Sequence, residues 1–169
     1  MERQQLFDRL QREYRERSEK LAQATLIFEE LSRDLYGEIG GLLAISESDN
    51  GPRFQTSIEG ERSKGITNML MLCFDLTMMR IAYPARRLPD FVVHDSHIFD
   101  GVDVRQVRKA IMLSAREATQ YGYQHFMTMN SDQLPSDGDD LRSVLDAVIL
   151  PVRLTDKHVD GGLFGMRFS

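Results

Sequence analysis

The chain has 169 residues and a formal net charge of −5. That length suits one domain with one real core, and the negative balance supplies no basic field to draw nucleic acid or an anionic membrane. The single cysteine, Cys73, lies in an apolar run, which rules out a disulfide framework, fits a reducing compartment and reads as a buried structural thiol. The N-terminus is charged and lacks the apolar segment of a signal peptide. The longest apolar stretch, "MLMLCFDLTMM", is too short for a membrane span and carries an acid. The expectation is a soluble, cytoplasmic protein with no membrane partner.

Residues 2–35 read as one helix. Phe7, Tyr14, Leu21, Phe28 and Leu35 recur every seven residues, with Leu10, Ala24 and Leu31 between them and Arg17 interrupting the set. This is a coiled-coil pattern. Six basic and five acidic side chains crowd the first twenty residues, so the narrow apolar seam calls for one partner helix, from another copy or another segment. The alternative is an amphipathic helix packed on its own domain. The expected division is a coiled-coil helix over residues 1–36 and a lobe over 37–169.

Glycines 40 and 41 break the helix, and "LLAIS" and "RFQTSIE" flank a turn at Asn50-Gly51-Pro52, which predicts a β-hairpin. Ser63 is placed to cap a helix over "KGITNMLMLCFDLTMMRIAY", apolar almost all round and therefore central. Pro84 and Pro89 bound a loop. Residues 90–95 form a short strand without alternation, as a strand covered on both faces would be. Asp103 caps the next helix, with Val104, Val107, Ile111, Ala115 and Ala118 on one face and Gly122 as its stop. "QHFMTM" is a strand leading to Asn130-Ser131-Asp132. "SDGDD" opens a short helix through Ala147, and "VILPVRL" and "LFGMRF" form a closing hairpin. The fold class predicted is α/β: an open, mostly parallel sheet with helical crossovers and β-hairpins. Ligands gather beyond the carboxyl ends of such strands, which puts Asp95, Asn130 and the 96–103 loop on one rim.

An acid after a buried strand suits magnesium-nucleotide chemistry, although an aspartate there also serves as a helix cap. No GxxxxGKS/T loop occurs, and Ser63-Lys64-Gly65 lacks the glycines of a full phosphate cradle. A metal set of His94, Asp95 and His97, with His125 more distant, is a second possibility, the basis of a metal-dependent hydrolase. Strand alternation separates His94 from Asp95 unless the strand ends between them, and no H-E-x-x-H or cysteine pair supports it. His94 then reads as a buried, hydrogen-bonded histidine, while His125 and His158 carry no partner signal. Ser63, Ser96 and Ser131 lie near turns, without the elbow of a serine nucleophile.

In order along the chain, "IEGERSKGITNMLMLCFDLTMMR", "FVVHDSHIFDGVDVRQ", "MTMNSD" and "LFGMRF" resemble the DUF2326 family over essentially the whole chain. That family is the C-terminal region of bacterial coiled-coil ATPases related to SMC, Rad50 and RecN proteins. The resemblance implies the C-terminal lobe of a split ABC-type ATPase head, whose Walker A loop lies in a separate N-terminal lobe. Ser63, Lys64 and Gly65 would stand at the signature motif facing the γ-phosphate of ATP on a second head. Asp95 would be the Walker B aspartate for magnesium, Asp103 the D-loop aspartate and Asn130 the counterpart of the switch histidine. ATP and Mg2+ would bind only with the complementary lobe. The implied partners are the Walker A lobe, a second head copy, a coiled-coil helix and, through the full-length protein, DNA, in DNA maintenance or defence. The chain departs from the pattern in four places. Lys64 replaces the first signature glycine. Ser96 stands where a catalytic glutamate is expected, leaving His97 or Asp100 to polarise water. Asn130 cannot take up a proton, and Val104 replaces an acid. The competing reading is a non-enzymatic coiled-coil oligomerisation module with an inert α/β domain.

Overall fold

A computed structural model describes residues 2–48, 51–60, 63–135, 139–155, 157–162 and 165. They fall into two compact units, 1–135 and 136–169.

In the first unit, helix α1 (Glu2–Tyr36) stops where Gly37 turns left-handed at φ +79 and its N–H closes on Arg33 O at 2.7 Å. Ser32 then turns the chain. Its hydroxyl donates to Glu29 O at 2.9 Å and accepts from Gly41 N at 2.6 Å. Strand β1 (Leu42–Ser48) follows and pairs antiparallel with β2 (Gly51–Ser57), from Leu42 opposite Ser57 to Ser48 opposite Gly51, the predicted hairpin.

The heptad seam of α1 divides. Ala24, Phe28, Leu31 and Leu35 are buried, whereas Leu21 is exposed. Over 24–35 the helix packs on the rest of its own unit, so the single-partner seam does not extend to its C-terminal end. A period of seven cannot tell a neighbouring helix of the same domain from a separate coil. The side chains of Phe7, Leu10 and Tyr14 lie outside the described residues.

Helix α2 (Lys64–Ala82) is the core helix. Ser63 caps it, its hydroxyl accepting from Ile66 N at 3.2 Å, and Met69, Leu70, Leu72, Cys73, Leu76 and Met79 are buried. Burial pushes the Cys73 thiol up to about 12, which keeps it unreactive at neutral pH. Among the described residues α2 is the one helix long and apolar enough to cross a membrane. Here its apolar side chains form the centre of a folded unit.

Strand β3 (Phe91–His94) is followed by a 3₁₀ turn (Ser96–Phe99), helix α3 (Val104–Tyr121) and strand β4 (Gln124–Met127). The last strand returns parallel to β3, with Phe91 opposite Gln124 and His94 opposite Met127. Asp103 caps α3, accepting from Arg105 N at 3.0 Å, and Gly122 at φ +76 ends it. The buried face of α3 runs through Val107, Ala110, Ile111, Leu113, Ser114 and Glu117, while Val104 is exposed.

Two expectations about the sheet are corrected. There is no single, mostly parallel sheet among the described residues, but an antiparallel hairpin and a separate parallel pair. Nor do the described residues cover β3 on both faces. Val92, His94, His125 and Met127 are buried or half-buried on one face, whereas Phe91, Val93, Gln124 and Phe126 are exposed on the other. An unbroken apolar run marks a strand meant for two covered faces, and the letters do not say whether this chain supplies both covers.

An ionic cluster ties the three long helices together. Arg80 of α2 bonds Glu117 of α3 at 2.5 and 2.7 Å and Glu30 of α1 at 3.0 and 3.1 Å. Arg116 reaches Asp34 of α1 at 2.5 Å and Glu117 at 3.2 Å. In the second unit, α4 (Asp139–Val148) is the expected short helix. The closing hairpin is not formed over 149–155, which has no strand. Pro151 removes a ladder donor there, and most of "LFGMRF" lies outside the described residues.

Candidate functional site

The rim beyond β3 and β4 is built by α2 and the 95–103 segment. Gly65, in the first turn of α2, lies directly on the backbone of that segment. A Cβ on Gly65 would run into the carbonyl of Gly101 and reach 3.1 Å from Val102 Cα. The absence of a side chain lets the two backbones touch. Gly101 itself turns at φ +70, which brings Asp103 round to the start of α3. Ser63, Gly65 and Asp103 therefore border one open pocket of about 790 Å³ with Ile58, Gln106 and Lys109. Lys109 also donates to Leu35 O at 2.8 Å, capping α1 from α3.

Lys64 points along the rim and donates to Asp100 Oδ2 at 2.9 Å. His97 Nδ1 meets the same oxygen at 2.8 Å. Bonds from Lys64 and then His97 hold the Asp100 carboxyl below the usual range, so it is a carboxylate that only accepts. The side-chain and backbone bonds of Arg105 lower Asp103 in the same way.

Asp95 is exposed one residue past β3, and its Oδ1 accepts from His97 N at 3.1 Å, opening the 3₁₀ turn. Asn130 is exposed beyond β4. Because β3 and β4 are parallel, the two residues lie past the same end of the pair. Ser96 is half-buried at the start of the turn. Thus Ser63, Lys64, Gly65, His97 and Asp103 surround one stretch of backbone, with Asp95 and Ser96 at its start and Asn130 past the neighbouring strand.

His94 turns inward, away from Asp95. Its Nε2 meets Asp75 Oδ2 of α2 at 2.9 Å and its Nδ1 meets His125 Nε2 of β4 at 2.7 Å. This is the buried, hydrogen-bonded histidine expected from the sequence. His125, expected to have no partner, is the second link of the chain. Burial, and then His94, pushes the His125 imidazole down to about 4, so His125 is neutral at neutral pH. The strand does end between His94 and Asp95, but His94 is taken up by Asp75 and His125 while Asp95 bonds the 3₁₀ turn, which breaks the His94-Asp95-His97 metal set. Among the described residues no group of three His, Cys, Asp or Glu side chains is arranged to hold a metal ion. Asp95 can contribute a carboxylate to magnesium only alongside phosphate oxygens and water.

Sequence reasoning missed Asp75 and Asn68, and it named His125 only as a distant metal candidate, not as the partner of His94. The signal for the first two was present as polar letters inside an otherwise apolar core helix. His125 gave none, since its partner lies on another strand.

No curated protein matches the chain. Among solved structures, an SMC head bound to the C-winged helix domain of ScpA aligns with 67% of this chain and 36% of its own, at 13% identity and a TM-score of 0.48. An SMC head domain with an extended coiled coil, bound to the C-terminal domain of ScpA derived from Pyrococcus furiosus, aligns with 68% of this chain and 29% of its own, at 14% identity and a TM-score of 0.50. The second likeness is one of fold. A family model described as "Uncharacterised protein conserved in bacteria (DUF2326)" matches residues 31–168. The match begins near the end of α1, leaving most of that helix outside it, and it establishes that the chain belongs to the DUF2326 family.

Proposed function

We propose that this chain is the C-terminal lobe of an SMC-like ATPase head and supplies half of a composite ATP-magnesium site. The observation that carries the reading is the contact of α2's capped N-terminus with the Gly101–Asp103 turn beside one open pocket. The start of a helix favours a phosphate through its dipole, and Ser63, Lys64 and Gly65 are assigned that role toward ATP held by a second head. Asp95 organises magnesium, Asp103 meets the opposing head, and Asn130 donates a hydrogen bond near the γ-phosphate. The face of the β3–β4 pair that the described residues leave exposed supports a second lobe. A two-stranded parallel sheet is too small to stand alone and is normally covered on both sides. The partners are that Walker A lobe, a second head, a helix pairing with the N-terminal part of α1 and, through the whole protein, DNA.

The test joins this lobe to its Walker A lobe and follows Mg-ATP binding and dimerisation. Asp95→Asn is expected to weaken magnesium-dependent binding, and Ser63→Arg to block ATP-dependent dimerisation while single heads still bind nucleotide. If neither substitution changes either property, the reading is wrong. The exposed Leu21 on the heptad seam of α1 favours a second reading, an oligomerisation module. It predicts a nucleotide-independent dimer through α1 that is indifferent to both substitutions.

A further inference from the structure

Three polar side chains interrupt the rim-facing side of α2, and each grips the 94–100 segment at a different point. Lys64 donates to the Asp100 carboxylate at 2.9 Å. Asn68 Nδ2 donates to two carbonyls, His97 O at 2.9 Å and Asp100 O at 3.2 Å. Asp75 holds His94 at 2.9 Å, and His94 in turn holds His125 of β4 at 2.7 Å. Positions 64, 68, 72 and 75 fall on one helical face, and the third of them, Leu72, is fully buried. The segment these residues grip begins at the last residue of β3 and contains Asp95 and the whole 3₁₀ turn.

We infer that Asn68 and Asp75 are positioning residues for Asp95, forming with Lys64 a polar seam that sets where the chain leaves β3 and where that carboxylate stands. This deepens the nucleotide reading and rests on it for the magnesium ion. The seam itself rests on the hydrogen bonds alone. Asp95 is exposed, and among the described residues its side chain makes one bond, a local one to His97 N, while its carbonyl accepts from Ile98 N inside the same turn. Its location is therefore set by the residues on either side of it. On the N-terminal side, both ring nitrogens of His94 are engaged, one to the core helix and one to the neighbouring strand. On the C-terminal side, the Asn68 amide spans the 3₁₀ turn by holding carbonyls three residues apart. Both anchors come from one rigid helix, whose N-terminal turn also carries Ser63-Lys64-Gly65. The seam thereby fixes the magnesium acid and the signature-like turn in one frame, as a catalytic constellation requires of its supports.

Two measurements test this. Hydrogen-deuterium exchange on the full chain reads the seam without any nucleotide. Asn68→Ala is expected to speed exchange of the Ile98, Asp100 and Val102 amides at least tenfold while the β1–β2 amides keep the native rate. An unchanged rate in the turn overturns the seam. In the two-lobe head, Asn68→Ala and Asp75→Ala are each expected to raise the Mg2+ concentration for half-maximal ATP binding by roughly 10- to 100-fold, the usual effect of losing an outer support of a metal ligand. Asp75→Glu should recover part of it. If exchange quickens but the magnesium requirement stays fixed, Asp95 is not positioned by the seam. A native head that binds no Mg-ATP overturns the nucleotide reading and the magnesium half of the inference with it, whereas the exchange result still decides the seam.

Discussion

Replacing Glu117 with glutamine should be among the most damaging single changes in the first unit. The Glu117 side chain has no exposure and the Arg80 side chain only 7%, and two bonds of 2.5 and 2.7 Å join them. Removing one charge from a buried pair costs about 3–5 kcal/mol, because the other charge is stranded out of water. Arg80 would keep its two bonds to Glu30 and its place over the Tyr121 ring at 5.0 Å. That puts Glu117→Gln near the lower end, about 3 kcal/mol, a large share of a typical folding stability of about 5–15 kcal/mol. Glu30 is 58% exposed, so Glu30→Ala should cost under about 1 kcal/mol. The double change Arg80→Met with Glu117→Leu should recover most of the loss, since a buried pair gains little over apolar side chains of similar size. Urea unfolding followed by circular dichroism measures all four proteins, and for Glu117→Gln the midpoint should fall by roughly 1–3 M. A cost below about 1 kcal/mol for Glu117→Gln, or equal costs for Glu117→Gln and Glu30→Ala, would refute the assignment of this cluster as a desolvated tie between the helices.

Two further outcomes follow from the site. Gly65→Ala places a methyl group against the Gly101 carbonyl, where backbone meets backbone and no flexible side chain can yield. It should cost about 1–3 kcal/mol, seen as a lower melting temperature, and an unchanged melting temperature would contradict the close approach. His125 is held down to about 4 from an ordinary 6.5. The unfolded chain therefore binds the proton first, so stability is full above about pH 6.5 and falls by about 3 kcal/mol as pH drops toward 4. His125→Gln should flatten that part of the stability-pH curve, and a variant with the native slope would show that His125 is not the group responsible.

The parts of the fold legible in the sequence are those set by local chemistry. Ser63, Asp103 and Gly122 end helices through their own side chains or backbone conformation, and Asn50-Gly51-Pro52 marks the hairpin without reference to anything distant. The heptads of α1 were legible as a helix but not as a destination. Phe28 and Leu35 enter their own core while Leu21 does not, a difference that depends on where α2 and α3 lie. The run "FVVH" was legible as a strand, yet its coverage was not, because Phe91 and Val93 look the same whether a layer from this chain or from another protects them. At the site, Asp95 and Ser63 could be singled out as an acid past a strand and a cap at a helix start. The grip of Asn68 and Asp75 on the same loop could not, since each bond joins residues far apart in the chain. A mid-helix asparagine or aspartate has no preferred partner until the fold supplies one.

The most direct measurement of the central claim is sedimentation of the two-lobe protein with and without Mg-ATP, beside this chain alone. A composite site predicts that the lone chain neither binds ATP nor changes mass with it, while the two-lobe protein binds Mg-ATP and doubles in mass. A lone chain that binds Mg-ATP by itself, or a two-lobe protein whose mass is the same with and without nucleotide, would contradict the account.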